Sequence, residues 1–435
     1  MRCPAAILVP LLLAVFAGPA AVATDLAALR SRAERAGLRV LEGERLMLVT
    51  DRPSRAGDGV DDLPRIFAEA FATWCRHFAL DDPPEGWRAF GCLMVDRERF
   101  RAAGLLPTAG TVPDFTNGFC AGDRFWLMDQ SSPDYRRHLL LHEGVHAFTL
   151  TLRTAAAPPW YTEGSAEYLA THRLDRDAAG REIFLPTPIP QRAVDVEQLG
   201  RIEKIRSLRA ARQMPALAEV FRTPPAAHHE LAAYAASWAA VALLAKHPAH
   251  AAAFSAVERG PLDGRFTQRL EATTGWDGAR AARDFDAFTD EVDYGYDFAR
   301  SSIDWSPGRL LESPQRIEVA GDRGWQNSGW RLAKGRRYSL TAHGLIRVGQ
   351  ASAGLLESEP DGISLRWYRG RPVGRLLVAQ WEENPADGGR PRFVVVAEGS
   401  AGGFEAVTDG PLYFKLNESP GALADNAGTF TIDLR

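Results

Sequence analysis

Two histidines, His142 and His146, sit four residues apart inside a stretch with helical period, and this spacing constrains the chain more than any other feature. The stretch reads Ser132-Pro133-Asp134-Tyr135-Arg136-Arg137-His138-Leu139-Leu140-Leu141-His142-Glu143-Gly144-Val145-His146-Ala147-Phe148. Ser132 suits a helix N-cap and Pro133 the first helical position. Leu141, Val145 and Phe148 form an apolar stripe at spacings of four and three. Both histidines then project from one face, one turn apart, and two such rings can reach one ion at about 2.0–2.1 Å. Glu143 lies beside that ion rather than on it, where a carboxylate can act as a base toward water. Gly144 weakens the helix by about 1 kcal/mol against alanine. The alternative is a helix with two histidines at its surface or in its core, and no metal.

The next segment bears on that choice. Pro158-Pro159-Trp160-Tyr161-Thr162-Glu163-Gly164-Ser165-Ala166-Glu167-Tyr168-Leu169 opens a second helix, with prolines and a candidate Thr162 cap before it. A catalytic zinc takes three protein ligands and keeps a fourth position open. Glu163 can be the third ligand. Glu167, four residues on, shares its face and can accept the remaining N–H of a ligating histidine. The roles can also be exchanged, with Glu167 on the metal and Glu163 favoured at the helix start by the dipole. His138 could extend the metal face or be an outer residue, and His228-His229 sits in a Pro/Ala-rich loop.

His-Glu-Gly-Val-His followed by Pro-x-Trp-Tyr-Thr-Glu-Gly resembles the gluzincin metallopeptidases, nearest to the peptidase-MA-like families of exported bacterial proteins. Sixteen residues lie between His146 and Glu163, close to the gluzincin interval, and the likeness covers roughly residues 115–245. It implies zinc on His142, His146 and Glu163, Glu143 as general base and Glu167 as an outer carboxylate. It also implies an edge strand over Asn117–Leu127 that holds a peptide or protein substrate by strand addition. A downstream tyrosine would stabilise the oxyanion: Tyr234 by position, with Tyr168 as a rival and a core tyrosine as the plain alternative.

After Trp305-Ser306-Pro307-Gly308 the texture changes to short apolar runs between Gly, Pro and Asn turns, as at Ile317–Val319, Tyr338–Ala342 and Leu412–Leu416. Such spacing predicts a β-sandwich. The loop from Asn417 to Asn426 is rich in the oxygen donors a hard cation takes. It resembles the last loop of the PA-I-type galactose-binding lectins, over about residues 315–435. That resemblance implies calcium on Glu418, the Ala422 carbonyl, Asp425 and Asn426, and a glycan partner. Three departures put sugar binding in doubt: Glu418 stands where those lectins have Asp, Ala422 lacks a side-chain oxygen, and Asp425 replaces Asn.

Residues 1–23 combine Arg2, the apolar run Ala5–Phe16 and the small residues Ala21-Val22-Ala23, the layout of a secretory signal peptide. The run is shorter than the roughly 20 residues that span a bilayer, and no later segment is long and apolar enough. Export to the periplasm or beyond permits a disulfide among Cys75, Cys92 and Cys120, at most one pair. A net charge of −4 without basic runs gives no field for nucleic acid. The expected fold class is α+β: a mainly helical zincin-like domain with a small mixed sheet over residues 24–305, then an all-β sandwich over 306–435. The expected function is an exported zinc peptidase. A non-catalytic carbohydrate-binding protein with a vestigial metal site, or a zinc hydrolase of a non-peptide amide, are the alternatives.

Overall fold

Leu46, Met47, Leu48 and Val49 are all buried, because this strand is covered on both faces. The computed structural model describes residues 25–435 apart from 56, 108–114, 179, 181, 197–199, 226–229 and 352–353, so the expected leader and His228-His229 lie outside the described residues. The strand, β2 (Leu46–Thr50), follows β1 (Arg39–Glu42) and joins β3 (Ala89–Met94), β4 (Gly118–Ala121) and β5 (Arg124–Met128) in a five-stranded sheet of order β1-β2-β3-β5-β4. β2, β3 and β5 run parallel, while both edge strands are antiparallel to their neighbours. Successive side chains of a strand face opposite ways, and here they enter different cores. Leu46 and Leu48 join one apolar cluster, Met47 and Val49 the other.

Helices cover both faces. α1 (Leu26–Arg35) and the short α3 (Arg97–Ala102) give Leu29, Ala33 and Phe100 to the second cluster. α2 (Leu63–His77) and α4 (Pro133–Leu152) lie on the first, and α5 (Pro159–Ala170) packs on α4. A hairpin, β6 (His172–Arg176) with β7 (Glu182–Pro186), follows α5. Then come α6 (Arg201–Ala210), α7 (Leu217–Val220), α8 (Leu231–Lys246), α9 (Ala251–Glu258), α10 (Phe266–Ala272) and α11 (Gly278–Glu291). The stretch Asn117–Leu127, expected as one edge strand, folds into the β4–β5 hairpin. Gly122 turns it at φ 63°, a left-handed angle that glycine adopts without penalty.

Two glycines set how closely the helices approach. A Cβ at Gly144 would lie 2.5 Å from Phe67 and 2.8 Å from Trp74, so α2 crosses α4 there. A Cβ at Gly164 would lie 2.5 Å from the Ser237 carbonyl, so α5 meets α8 there. The helical cost of Gly144 is therefore offset by packing.

From Arg309 onward the chain is all strand and turn. One sheet orders Arg392–Glu398, Leu376–Glu382, Gly410–Leu416, Gln326–Leu332 and Arg309–Leu310. The other orders Gly354–Ser358, Ile346–Ala351, Asn426–Leu434, Arg337–His343 and Ala401–Glu405, with Gln315–Ala320 also on the long last strand. One apolar cluster draws Val378, Leu412 and Phe414 from the first sheet and Leu340, Phe430 and Ile432 from the second, the packing of a β-sandwich. A third interface ties this region to the helices. Ala287 of α11 packs with Trp325, Phe393 and Tyr413. Arg390 grips Asp286 through two hydrogen bonds of 2.9 and 2.7 Å, and Lys415 pairs with Glu291. Cys75, Cys92 and Cys120 are all free thiols, and among the described residues no helix is long and apolar enough to cross a membrane.

Candidate metal centre

The α4 helix is buried along almost its whole length, between the sheet on one side and α2 and α5 on the other. Its polar residues are therefore enclosed, and buried polar groups need partners. Ser132 caps it, accepting from the Tyr135 N–H at 3.3 Å. On the side facing α5, His142 Nε2 lies 3.1 Å from His146 Nε2. Glu163 Oε2 is 3.2 Å from the first of these nitrogens and 3.5 Å from the second. Ligand atoms at about 2.0–2.2 Å around a tetrahedral ion stand roughly 3.3–3.6 Å apart. The three atoms thus have the mutual spacing of three corners of such a shell, and the residue types suit zinc.

Glu167 sits one turn beyond Glu163 and faces the other nitrogen of His142. His142 Nδ1 is 3.1 Å from Glu167 Oε1, and His138 Nε2 is 3.3 Å from Oε2. Arg201, opening α6, grips the same carboxylate with Nε on Oε2 and Nη2 on Oε1, both at 2.8 Å. Nothing in the local sequence marked Arg201. It lies 34 residues after Glu167 and opens a helix that carries no motif.

Among the described residues, two other groups bring three candidate ligands together: His138 with His142 and Glu167, and His247 with His250 and Asp284. The first is taken up by Arg201, whose charge opposes a cation. In the second, the Ala249 N–H donates to His247 Nδ1 at 3.2 Å. Burial pushes that ring down to about 4 and keeps it neutral. Its proton is then on Nε2, which leaves no lone pair toward Asp284. Asp284 is instead satisfied by His250 at 2.8 Å and by the Trp305 indole N–H at 2.7 Å.

Electrostatics separate the acids by role. Burial alone would raise Glu167, yet Arg201, His138 and His142 hold it well below the usual carboxylate range. Glu143 is raised, chiefly by burial, with His142 and His146 opposing. Burial pulls His142 down, but Glu163 and Glu167 outweigh it and lift the metal-free ring to about 10. Tyr234 is raised by burial and by Glu163 and Glu143, so its phenol keeps its proton.

His138, His142, Glu143, Glu167 and Arg201 line a cleft of about 340 Å³ with Asn117, Gly118 and Phe119 on one wall and Leu231 and Tyr234 on another. Tyr234 stands edge-on to His142, ring centres 6.0 Å apart. Tyr168 is elsewhere, packed near His77 and influenced by Glu258. β4 is the edge strand of its sheet, and Gly118 abuts Glu143.

In the C-terminal loop, Glu418 and Asn426 come together: the Asn426 amide N–H donates to Glu418 Oε2 at 2.8 Å and to the Gly321 carbonyl at 3.0 Å. Burial raises Glu418 to about 7, against the Asn426 bond and with help from Asp425. Asn426 Oδ1 is buried without a partner. Asp425 and Ala422 are more open. Asn417 turns inward, donating to the Tyr368, Arg371 and Pro372 carbonyls at 2.9–3.0 Å.

No family model matches the chain, and no curated protein matches it. Among solved structures it is similar to a chain described as "EclA N-terminal domain; PllA-like lectin", at 20% sequence identity. That match covers 27% of this chain and 92% of the other, with a TM-score of 0.20. A TM-score that low assigns neither a fold nor a ligand.

Proposed function

We propose that the chain is an exported zinc-dependent peptidase of the zincin kind, with the catalytic unit in residues 24–305 and a β-sandwich unit in 306–435. The observation that carries the reading is the convergence of His142 Nε2, His146 Nε2 and Glu163 Oε2 to 3.1–3.5 Å, with Glu143 next to His142 in the chain and lining one cleft with it. Zinc, when bound, supplies a Lewis acid that polarises a carbonyl and makes water more acidic. Glu143, buried and raised, takes the proton of the attacking water and returns it to the leaving amine. Tyr234 keeps its phenolic proton and donates to the oxygen that gains charge. Asn117, Gly118 and Phe119, at the edge of the sheet, offer backbone groups to an extended chain.

Glu143 favours this reading over a purely structural metal, which has no use for a base in an accessible cleft. Digestion of a peptide library by wild type and by Glu143→Gln tests it. The variant keeps its zinc, and hydrolysis falls by roughly 10²–10⁴. Equal cleavage by the two proteins would refute the role of Glu143, and cleavage only of non-peptide amides would move the substrate class.

The C-terminal loop fits a second, hard cation. Asn426 Oδ1 is buried and unpartnered next to two carboxyl groups, Glu418 and Asp425, and calcium takes such oxygens. Whether it bridges to a glycan is tested by calcium-dependent binding to a glycan array.

A further inference from the structure

We propose that Arg201, with His138, is a positioning residue that decides which of two overlapping ion sites the protein uses. This rests on the zinc reading above. His142 belongs to both sites: its Nε2 faces His146 and Glu163, while its Nδ1 faces Glu167 and His138. The two sites therefore compete for the two nitrogens of one ring.

Glu167 settles the choice because Arg201 already holds both of its oxygens. An ionised carboxylate offers about four acceptor positions and no donor. Oε1 meets Arg201 Nη2 and His142 Nδ1, and Oε2 meets Arg201 Nε and His138 Nε2. An ion on this carboxylate would have to displace the guanidinium. Because the carboxylate can only accept, His142, once it gives up a proton to bind a metal, keeps the remaining one on Nδ1 and turns the Nε2 lone pair toward His146 and Glu163. The guanidinium adds a positive charge beside the second site and neutralises Glu167, which is buried. Its fork matches a carboxylate as a lysine cannot.

Arg201 is held firmly enough for the task. It is buried at the start of α6, its guanidinium 5.6 Å above the Tyr234 ring. The far end of the same helix is anchored by Arg209, which bonds Asp290 at 2.8 Å and the Pro391 carbonyl at 2.9 Å.

The test measures zinc affinity by competition with a chromophoric chelator in the full chain, for wild type, Arg201→Met, Glu167→Gln and the double variant. Arg201→Met alone leaves a buried carboxylate unpaired, whereas the double variant removes both charges, so the comparison survives if the single variant misfolds. Each single variant is expected to bind zinc roughly 10–100-fold more weakly, because outer partners of ligating histidines have effects of that size. The double variant should bind no more weakly than Glu167→Gln, since Arg201 acts through that carboxylate. The His142 Nδ1 proton, visible by NMR in zinc-loaded wild type, should be lost in Arg201→Met. Arg201→Met affinity within about twofold of wild type, well short of a normal outer-partner effect, would overturn the proposal, as would losses that multiply in the double variant. Wild type without measurable zinc affinity would overturn the metal reading and this proposal with it.

Discussion

Glu143 and Gly118 touch: a Cβ placed on Gly118 would lie 3.0 Å from Glu143 Cγ and Cδ and closer still to its Oε1. The edge strand therefore defines where the base can stand. Gly118 has no left-handed backbone angle, so the obstacle to alanine there is the Glu143 side chain, which would have to move. Gly118→Ala should push the Glu143 carboxylate aside, an overpacking of about 1–3 kcal/mol. Peptide hydrolysis is expected to fall roughly ten- to hundredfold while zinc content is unchanged. Steady-state rates paired with metal analysis check this.

Zinc binding should release a proton. In the metal-free protein His142 is raised to about 10 from the ordinary 6.5, since Glu163 and Glu167 outweigh burial. Zinc needs the Nε2 lone pair, so between about pH 7 and 9 affinity should climb about tenfold per pH unit from this group. The sign for folding is opposite. A raised imidazolium stabilises the metal-free fold below 6.5, and that contribution is lost as pH rises toward 10. Melting curves with and without zinc should therefore diverge with rising pH. A flat affinity profile would show that the ring is already neutral.

Gly164 admits the Ser237 carbonyl at the α5–α8 crossing. Gly164→Ala must separate the helix that carries Glu163 from the one that carries Tyr234. A cost of about 2–3 kcal/mol is expected by denaturant unfolding, together with weaker zinc binding. Unchanged stability would mean that the crossing is loose.

The two regions are joined partly by charge. Lys415 pairs with Glu291, and Arg369 also lies 3.7 Å from that carboxylate. Lys415→Met leaves Glu291 enclosed with a weaker partner, which should destabilise the chain by on the order of 3 kcal/mol. Burial opposes the charge on Glu291, but Lys415 and Arg369 hold it below its usual range. That contribution is present near neutral pH and lost as pH falls through the depressed value. The difference between wild type and variant should therefore shrink in acid.

What the sequence made legible was local. The α4 helix could be read because its cap, its stripe and its histidine spacing coincide within twenty residues. Glu163 and Glu167 followed, since one helical turn separates them and zinc needs a third ligand. Arg201 was invisible, because its partner is fixed only when α6 folds back across α5 and α8. The hairpin at Gly122 looks like one strand in sequence, since alternation continues through a tight turn. Gly144 read as a weakness, and only the contact with Phe67 and Trp74 explains it. In the C-terminal region apolar alternation marked many strands, but pairing order depends on long-range register that no local pattern holds. Asn417 read as a loop oxygen donor, yet its amide is consumed by three carbonyls from the neighbouring hairpin.

Anomalous diffraction at the zinc edge, from crystals of the full chain grown with zinc, tests the central claim most directly. One strong peak is expected at bonding distance, about 2.0–2.2 Å, from His142 Nε2, His146 Nε2 and a Glu163 oxygen, with Glu167 still clasped by Arg201. A peak between His138 and Glu167, or none at saturating zinc, would contradict it.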